Sequence, residues 1–95
     1  TQFVPAEHIE HPHNIEFQMH LNGQIRQHGD VRKMLFPIPF IVRYLSEVFT
    51  LQEGDLIFTG TPEGVGSLTH KDTVRLVLPG HIDTKFKVFN SLHQI

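Results

Sequence analysis

Ninety-five residues and 10.9 kDa make one small domain at most, and 39% hydrophobic against 19% charged residues is a globular composition, not a disordered one. Eight Lys+Arg against ten Asp+Glu give a net charge of −2 with histidine neutral. That leaves no cationic excess for phosphates, and no apolar run nears the roughly 18–20 residues of a membrane span, so neither nucleic acid nor membrane is an expected partner. Cysteine is absent, which excludes disulfides, thiolate zinc sites and cysteine nucleophiles and suits a reducing cytoplasm, or a mitochondrial matrix in a eukaryote.

The chain opens Thr1-Gln2-Phe3-Val4-Pro5 without methionine, and the expectation is that a segment upstream is missing. No charged run followed by an apolar one marks a signal peptide. Residues 1–14, with Pro5, Pro12, His8, His11 and His13, read as an extended surface connection. Ile15, Phe17, Met19 and Leu21 then alternate with Glu16, Gln18 and His20, the period of a strand with one buried face. Asn22-Gly23 tolerates the positive φ of a type I′ turn, and Gln24 to Gln27 return as the second strand of a hairpin.

From Asp30 to Arg32, and again through Met34-Leu35-Phe36-Pro37-Ile38-Pro39, regular structure is interrupted. Pro39 suits a first helical turn. Phe40, Ile41, Tyr44, Leu45, Val48 and Phe49 follow at helical spacing, with Arg43, Ser46 and Glu47 opposite, which predicts a helix from about Pro39 to Phe49. The stretch from Thr50 to Asp55 reads as a turn, in which Asp55 bonds its own backbone. Leu56-Ile57-Phe58-Thr59 reads as a short buried strand. Thr73 to Leu78 and Thr84 to Phe89 read as two more strands, turned by Pro79-Gly80. The fold class is therefore α+β and mostly β, with a β-hairpin, one helix and further strands.

One stretch stands out chemically. Thr59-Gly60-Thr61-Pro62-Glu63-Gly64-Val65-Gly66 places three glycines and a proline directly after an apolar segment. Glycines let backbone N–H groups converge on an anion, and two threonine hydroxyls add donors for a carboxylate. A plain tight turn is the other reading. No Gly-Lys-Ser/Thr follows and no helix begins there, so it is neither a Walker loop nor a dinucleotide fingerprint. His8, His11 and His13 share no face and read as a solvated segment rather than a metal site. His20 and His28 read as exposed sheet residues, with the lining of a cleft as the other reading for either. The carboxylates show no catalytic spacing, and no nucleophile elbow is present.

The order of several segments says more than any one of them. Leu21-Asn22-Gly23-Gln24-Ile25-Arg26-Gln27, Met34-Leu35-Phe36, Tyr44-Leu45-Ser46, Thr50-Leu51-Gln52-Glu53-Gly54-Asp55-Leu56-Ile57 and the glycine loop succeed one another. This succession resembles the C-terminal half of the fumarylacetoacetate hydrolase family, in the style of its smaller acylpyruvate hydrolase and oxaloacetate decarboxylase members, from about Phe3 to Phe89. The resemblance implies a partial catalytic domain over residues 1–95 of a dimeric enzyme. Such an enzyme uses Mg²⁺ or Mn²⁺ and acts on small 2-oxo or β-dicarbonyl carboxylates by C–C hydrolysis, decarboxylation or isomerisation.

It also implies that Thr61 bonds the substrate carboxylate, that Gly60 brings backbone close to the same group, and that Thr59 is a weaker participant. The family's Glu-x-Glu and Asp ligands, its lysine and its lid lie N-terminal to the region represented here. No Glu-x-Glu occurs in this chain. No catalytic residue and no metal ligand is therefore assigned within it, and the chain alone is expected to be inactive and to hold no cation. The alternative is a non-catalytic remnant that dimerises or binds a small acid.

Overall fold

A computed structural model describes residues 3–90. They form two compact units, one of residues 3–15 and 30–60, the other of 16–29 and 61–90.

The second unit carries a four-stranded sheet, β1 (Glu16–Leu21), β2 (Gln24–Asp30), β3 (Thr73–Leu78) and β4 (Ile82–Lys87), in the order β2-β1-β3-β4. The predicted hairpin is present: Asn22 at φ 51° and Gly23 at φ 83° make the two-residue turn. Asn22 also ties this turn to the start of β3. Its backbone N–H donates to Thr73 O (2.8 Å), its Nδ2 donates to Asp72 Oδ1 (3.0 Å), and its Oδ1 accepts from Thr73 N–H (2.8 Å). β1 and β3 pair antiparallel with Leu21 opposite Val74 and Met19 opposite Leu76, and Val74 faces Phe86 on β4. Paired residues share a sheet face, so Phe17, Met19, Leu21, Val74, Leu76 and Phe86 make one apolar face.

That face is filled only at its centre. Val74 is 2% and Leu21 8% exposed, and they are the buried hydrophobic side chains among the described residues. Phe17, expected in the core, is 37% exposed. The period-two phase is right, and the burial is less because the face lies open beyond Leu21 and Val74. Gly29 on β2 is buried beneath the Phe17 ring, where an added Cβ would overlap the ring atoms. On the opposite face the Arg75 guanidinium grips Asp83 through Nε (2.7 Å) and Nη2 (2.6 Å).

β2 runs three residues beyond the predicted Gln27 and so includes His28, whose Nε2 lies 3.3 Å from Glu16 Oε2. β3 has the predicted bounds. β4 begins two residues earlier than predicted because a three-residue turn closes the hairpin, with His81 N–H bonded to Leu78 O at 2.9 Å.

The first unit contains α1 (Ile38–Val48), one residue N-terminal of the predicted span, with Pro39 in its first turn. Phe49 N–H closes it on Leu45 O (2.7 Å). The apolar positions divide into two stripes: Ile38, Ile41 and Leu45 are half-buried, while Phe40, Tyr44 and Val48 are exposed. Phe36, Phe40 and Tyr44 stack in a row, with centroids 5.2 and 6.4 Å apart. Residues expected to be wholly irregular include single 3-10 turns at Ala6–His8, Pro12–Asn14 and Val31–Lys33. Asp30 caps the last of these, accepting Arg32 N–H at 2.9 Å and the Arg32 guanidinium at 2.7 Å. Asp55 bonds its own turn as expected, accepting Gln52 N–H (2.8 Å).

Leu56 to Thr59 corrects the sequence reading. The segment is unpaired, with Leu56 67% and Phe58 90% exposed. A strand needs a neighbouring edge for its N–H and C=O groups, and no described element offers one here.

Candidate functional site

Glycine-loop residues lie at the junction of the two units in sequence: Thr59 and Gly60 end the first, and Thr61 to Gly66 belong to the second. Gly60 takes φ 91° and Gly64 φ 102°, conformations that a residue with a Cβ adopts only under strain. The two glycines are not equivalent. A Cβ on Gly60 would meet nothing within 4 Å, whereas one on Gly64 would overlap the Arg26 carbonyl oxygen and lie 3.1 Å from Gln27 Cγ. Gly64 therefore lets the loop lie directly on β2. At Gly66 a Cβ would come within 2.7 Å of Arg26 Nη1, the movable end of a long side chain.

Gln27 supplies the polar half of the same attachment. Its Nε2 donates to Thr61 Oγ1 (2.9 Å) and to Pro62 O (3.0 Å). Thr61 is itself exposed, as are Thr59, Gly60 and Glu63, so its hydroxyl is open to a ligand while its loop is fastened. The sequence reading missed Gln27. Its contact with Thr61 spans 34 residues, and a glutamine on an alternating strand has no signature to separate it from any solvated strand residue.

Other polar groups engage one another. His20 Nε2 lies 2.9 Å from Gln18 Oε1, and His11 Nε2 lies 3.8 Å from Glu10 Oε1. Arg32 holds the Asp30 carboxyl down to about pKa 2, first through its guanidinium and then through its backbone N–H. The Asn22 side-chain amide and then Thr69 N–H keep Asp72 below the usual carboxylate range, and the Arg75 guanidinium does the same for Asp83. A cleft of about 440 Å³ in the first unit runs between His13, Arg32, Met34 and Pro37. Among the described residues, no three His, Asp or Glu side chains converge as a metal ion requires. The described side chains do not fit a divalent cation.

The profile described as "Fumarylacetoacetate (FAA) hydrolase C-terminal" matches residues 1–88. The chain belongs to the fumarylacetoacetate hydrolase family. Oxaloacetate tautomerase FAHD1, mitochondrial, from Bos taurus is 45% identical over 88 residues, 93% of this chain and 40% of the relative. The 4-hydroxyphenylacetate degradation bifunctional isomerase/decarboxylase of Escherichia coli is 42% identical over 80 residues, 84% of this chain and 19% of the relative. A crystal structure of maleylpyruvate hydrolase from Sphingobium sp. SYK-6, in complex with manganese (II) ion and pyruvate, superposes with a TM-score of 0.82. It is 32% identical, and the match covers 90% of this chain and 33% of that one. The family's mostly β, α+β fold is thus present, and this chain spans about 40% of the length of the tautomerases it matches. Among the described residues, no helix is long and apolar enough to cross a membrane.

Proposed function

We propose that this chain is the carboxylate-binding part of a catalytic domain that turns over small 2-oxo acids, with oxaloacetate and acylpyruvates as the first substrates to try. The relatives' names support that class: one acts on oxaloacetate, and a structural neighbour is a maleylpyruvate hydrolase in complex with pyruvate. The observation that carries the proposal is the exposed Thr61 hydroxyl on a loop fastened to β2. In this reading Thr61 donates to the substrate carboxylate, and Gly60, with open space around its α-carbon, lets backbone approach the same group. Thr59 adds a weaker contact at the loop's start.

The proposal puts the divalent cation, Mg²⁺ or Mn²⁺, and the proton-transfer groups outside these 95 residues. When bound, such an ion stabilises the enolate or oxyanion of a 2-oxo acid. This chain's part is to hold the substrate carboxylate and fix the orientation of the carbon skeleton. Exposed Phe40 and Tyr44 on α1, with Phe36 just before it, support assembly with more protein, namely the remainder of the domain and a second copy in a homodimer. A cytoplasmic or mitochondrial-matrix setting agrees with a cysteine-free chain.

Steady-state kinetics of the complete protein on oxaloacetate and an acylpyruvate test the reading. Loss of one hydrogen bond to a charged group costs about 1.5–3 kcal/mol, so Thr61→Val is expected to raise KM roughly ten- to a hundredfold. If the contact serves ground and transition states alike, kcat stays nearly unchanged. Glu63→Gln, at an exposed position, is expected to be almost silent. Wild-type kinetics in Thr61→Val would remove the loop from the active site.

A further inference from the structure

We infer that Gln27 is a positioning residue: it fixes the Thr61 hydroxyl as a donor directed at the ligand's carboxylate. The inference rests on the role proposed above for Thr61. A primary amide has two hydrogens on nitrogen and an oxygen that only accepts, and a backbone carbonyl likewise only accepts. The Gln27 atom 3.0 Å from Pro62 O must therefore be its nitrogen, so the amide cannot be turned over. The second hydrogen on that nitrogen then points to Thr61 Oγ1 at 2.9 Å, where the hydroxyl has to accept.

A hydroxyl has a single hydrogen. With Gln27 engaging a lone pair of Oγ1, that hydrogen is left for a different acceptor, and a carboxylate is a pure acceptor. Donation into Oγ1 also polarises its O–H and strengthens the outgoing bond. Pro62 makes the side chain matter more, because the residue after Thr61 has no backbone N–H to offer an anion. Gln27 can act as a fixed reference because it sits, half-buried, within β2. Gly64, flush against Arg26 O and Gln27 Cγ, keeps the loop at the reach of that one side chain.

The test uses the complete protein, with pyruvate binding by calorimetry in the presence of Mn²⁺ and steady-state kinetics on oxaloacetate. Gln27→Met keeps the length and removes both donors, and Gln27→Glu replaces a donor with an acceptor that competes for the Thr61 hydrogen. Gln27→Met is expected to weaken pyruvate binding and raise KM roughly three- to tenfold with kcat within about twofold. Gln27→Glu should be worse than Gln27→Met. The pair Gln27→Met/Thr61→Val should be no weaker than Thr61→Val alone, since without the hydroxyl there is nothing to orient. A purely structural Gln27 would instead lower the active fraction, and its effect would multiply with that of Thr61→Val.

Should Thr61→Val impair binding while both Gln27 variants match wild type, or should the effects multiply, the inference falls and the carboxylate reading stands. A silent Thr61→Val, or a wild-type protein that neither binds pyruvate nor turns over oxaloacetate, sinks the reading and the inference together. If Gln27→Met does not fold, the isosteric and polar Gln27→Glu carries the test, and wild-type affinity in it overturns the proposal.

Discussion

Asp30 shows how much a single carboxylate can be committed to local order. Its side chain caps the turn Val31–Lys33 and receives the Arg32 guanidinium, and the two together pull its pKa down to about 2. A lowered folded-state pKa stabilises the fold above the unfolded value of about 3.9, and that contribution is lost as pH falls towards about 2. Asp72 and Asp83 are shifted in the same direction. Unfolding followed by circular dichroism should therefore steepen below about pH 4, and Asp30→Asn should flatten the curve over that window. Equal slopes in both proteins would count against the assignment.

The two positive-φ glycines allow a second comparison. Within the fold Gly60→Ala carries backbone strain alone, since its Cβ meets no protein atom, whereas Gly64→Ala adds a collision with the Arg26 carbonyl, which cannot swing aside. Gly64→Ala should thus lower the unfolding midpoint more than Gly60→Ala does, and equal midpoints in the two variants would show that β2 does not hold the loop. The Thr-Gly-Thr-Pro context is what singled out Thr61 as a candidate in the sequence. The amide that holds it was not legible there, because the contact is made across 34 residues by a residue type without a motif.

Among elements, β1 and its turn were legible because alternation and Asn-Gly are local signals, and β3 because Thr73 to Leu78, Arg75 apart, is β-branched or apolar. Leu56 to Thr59 carries equally apolar residues and is no strand among the described residues. Apolarity records that a segment is to be covered, not by what, and pairing depends on an edge that the sequence of the segment does not contain. The Phe17 contact with Gly29 lends itself to a cycle. Phe17, 37% exposed, should cost about 1.5–3 kcal/mol when changed to Ala, less than a fully buried phenylalanine. Gly29→Ala should cost about 1–3 kcal/mol by overpacking against the ring. In the Phe17→Ala background that second cost should nearly vanish, and chemical denaturation of the four proteins would reveal whether it does.

At the scale of the molecule, a sheet face buried only at Leu21 and Val74 and an open aromatic row from Phe36 into α1 leave little core among the described residues. The fold class was readable from composition and periodicity. The shortage of buried side chains was not, since a sequence shows which residues are apolar but not how many partners each one finds. We expect the isolated 95-residue chain to show no stoichiometric Mg²⁺ or Mn²⁺ site tighter than roughly 10 µM, about 7 kcal/mol, by calorimetry. A tight site there would mean that carboxylates separated in this structure come together around the ion.

The order β2-β1-β3-β4 has a consequence for how the sheet comes into being. β1 with β2, and β3 with β4, are hairpins whose ends meet after short turns, and hairpins of that kind form in about 1–10 µs. Joining them requires the chain to close on itself between Asn22 and Asp72, 50 residues apart. That closure is the slow, entropically costly event, and the Asn22 side chain, bonded to both Asp72 and Thr73, is the latch that secures it. Closure cost grows only logarithmically, by about 0.6 kcal/mol for each doubling of the loop. The span carrying α1 can therefore lengthen or shorten between the two hairpins while the sheet, and the loop resting on β2, keep their register.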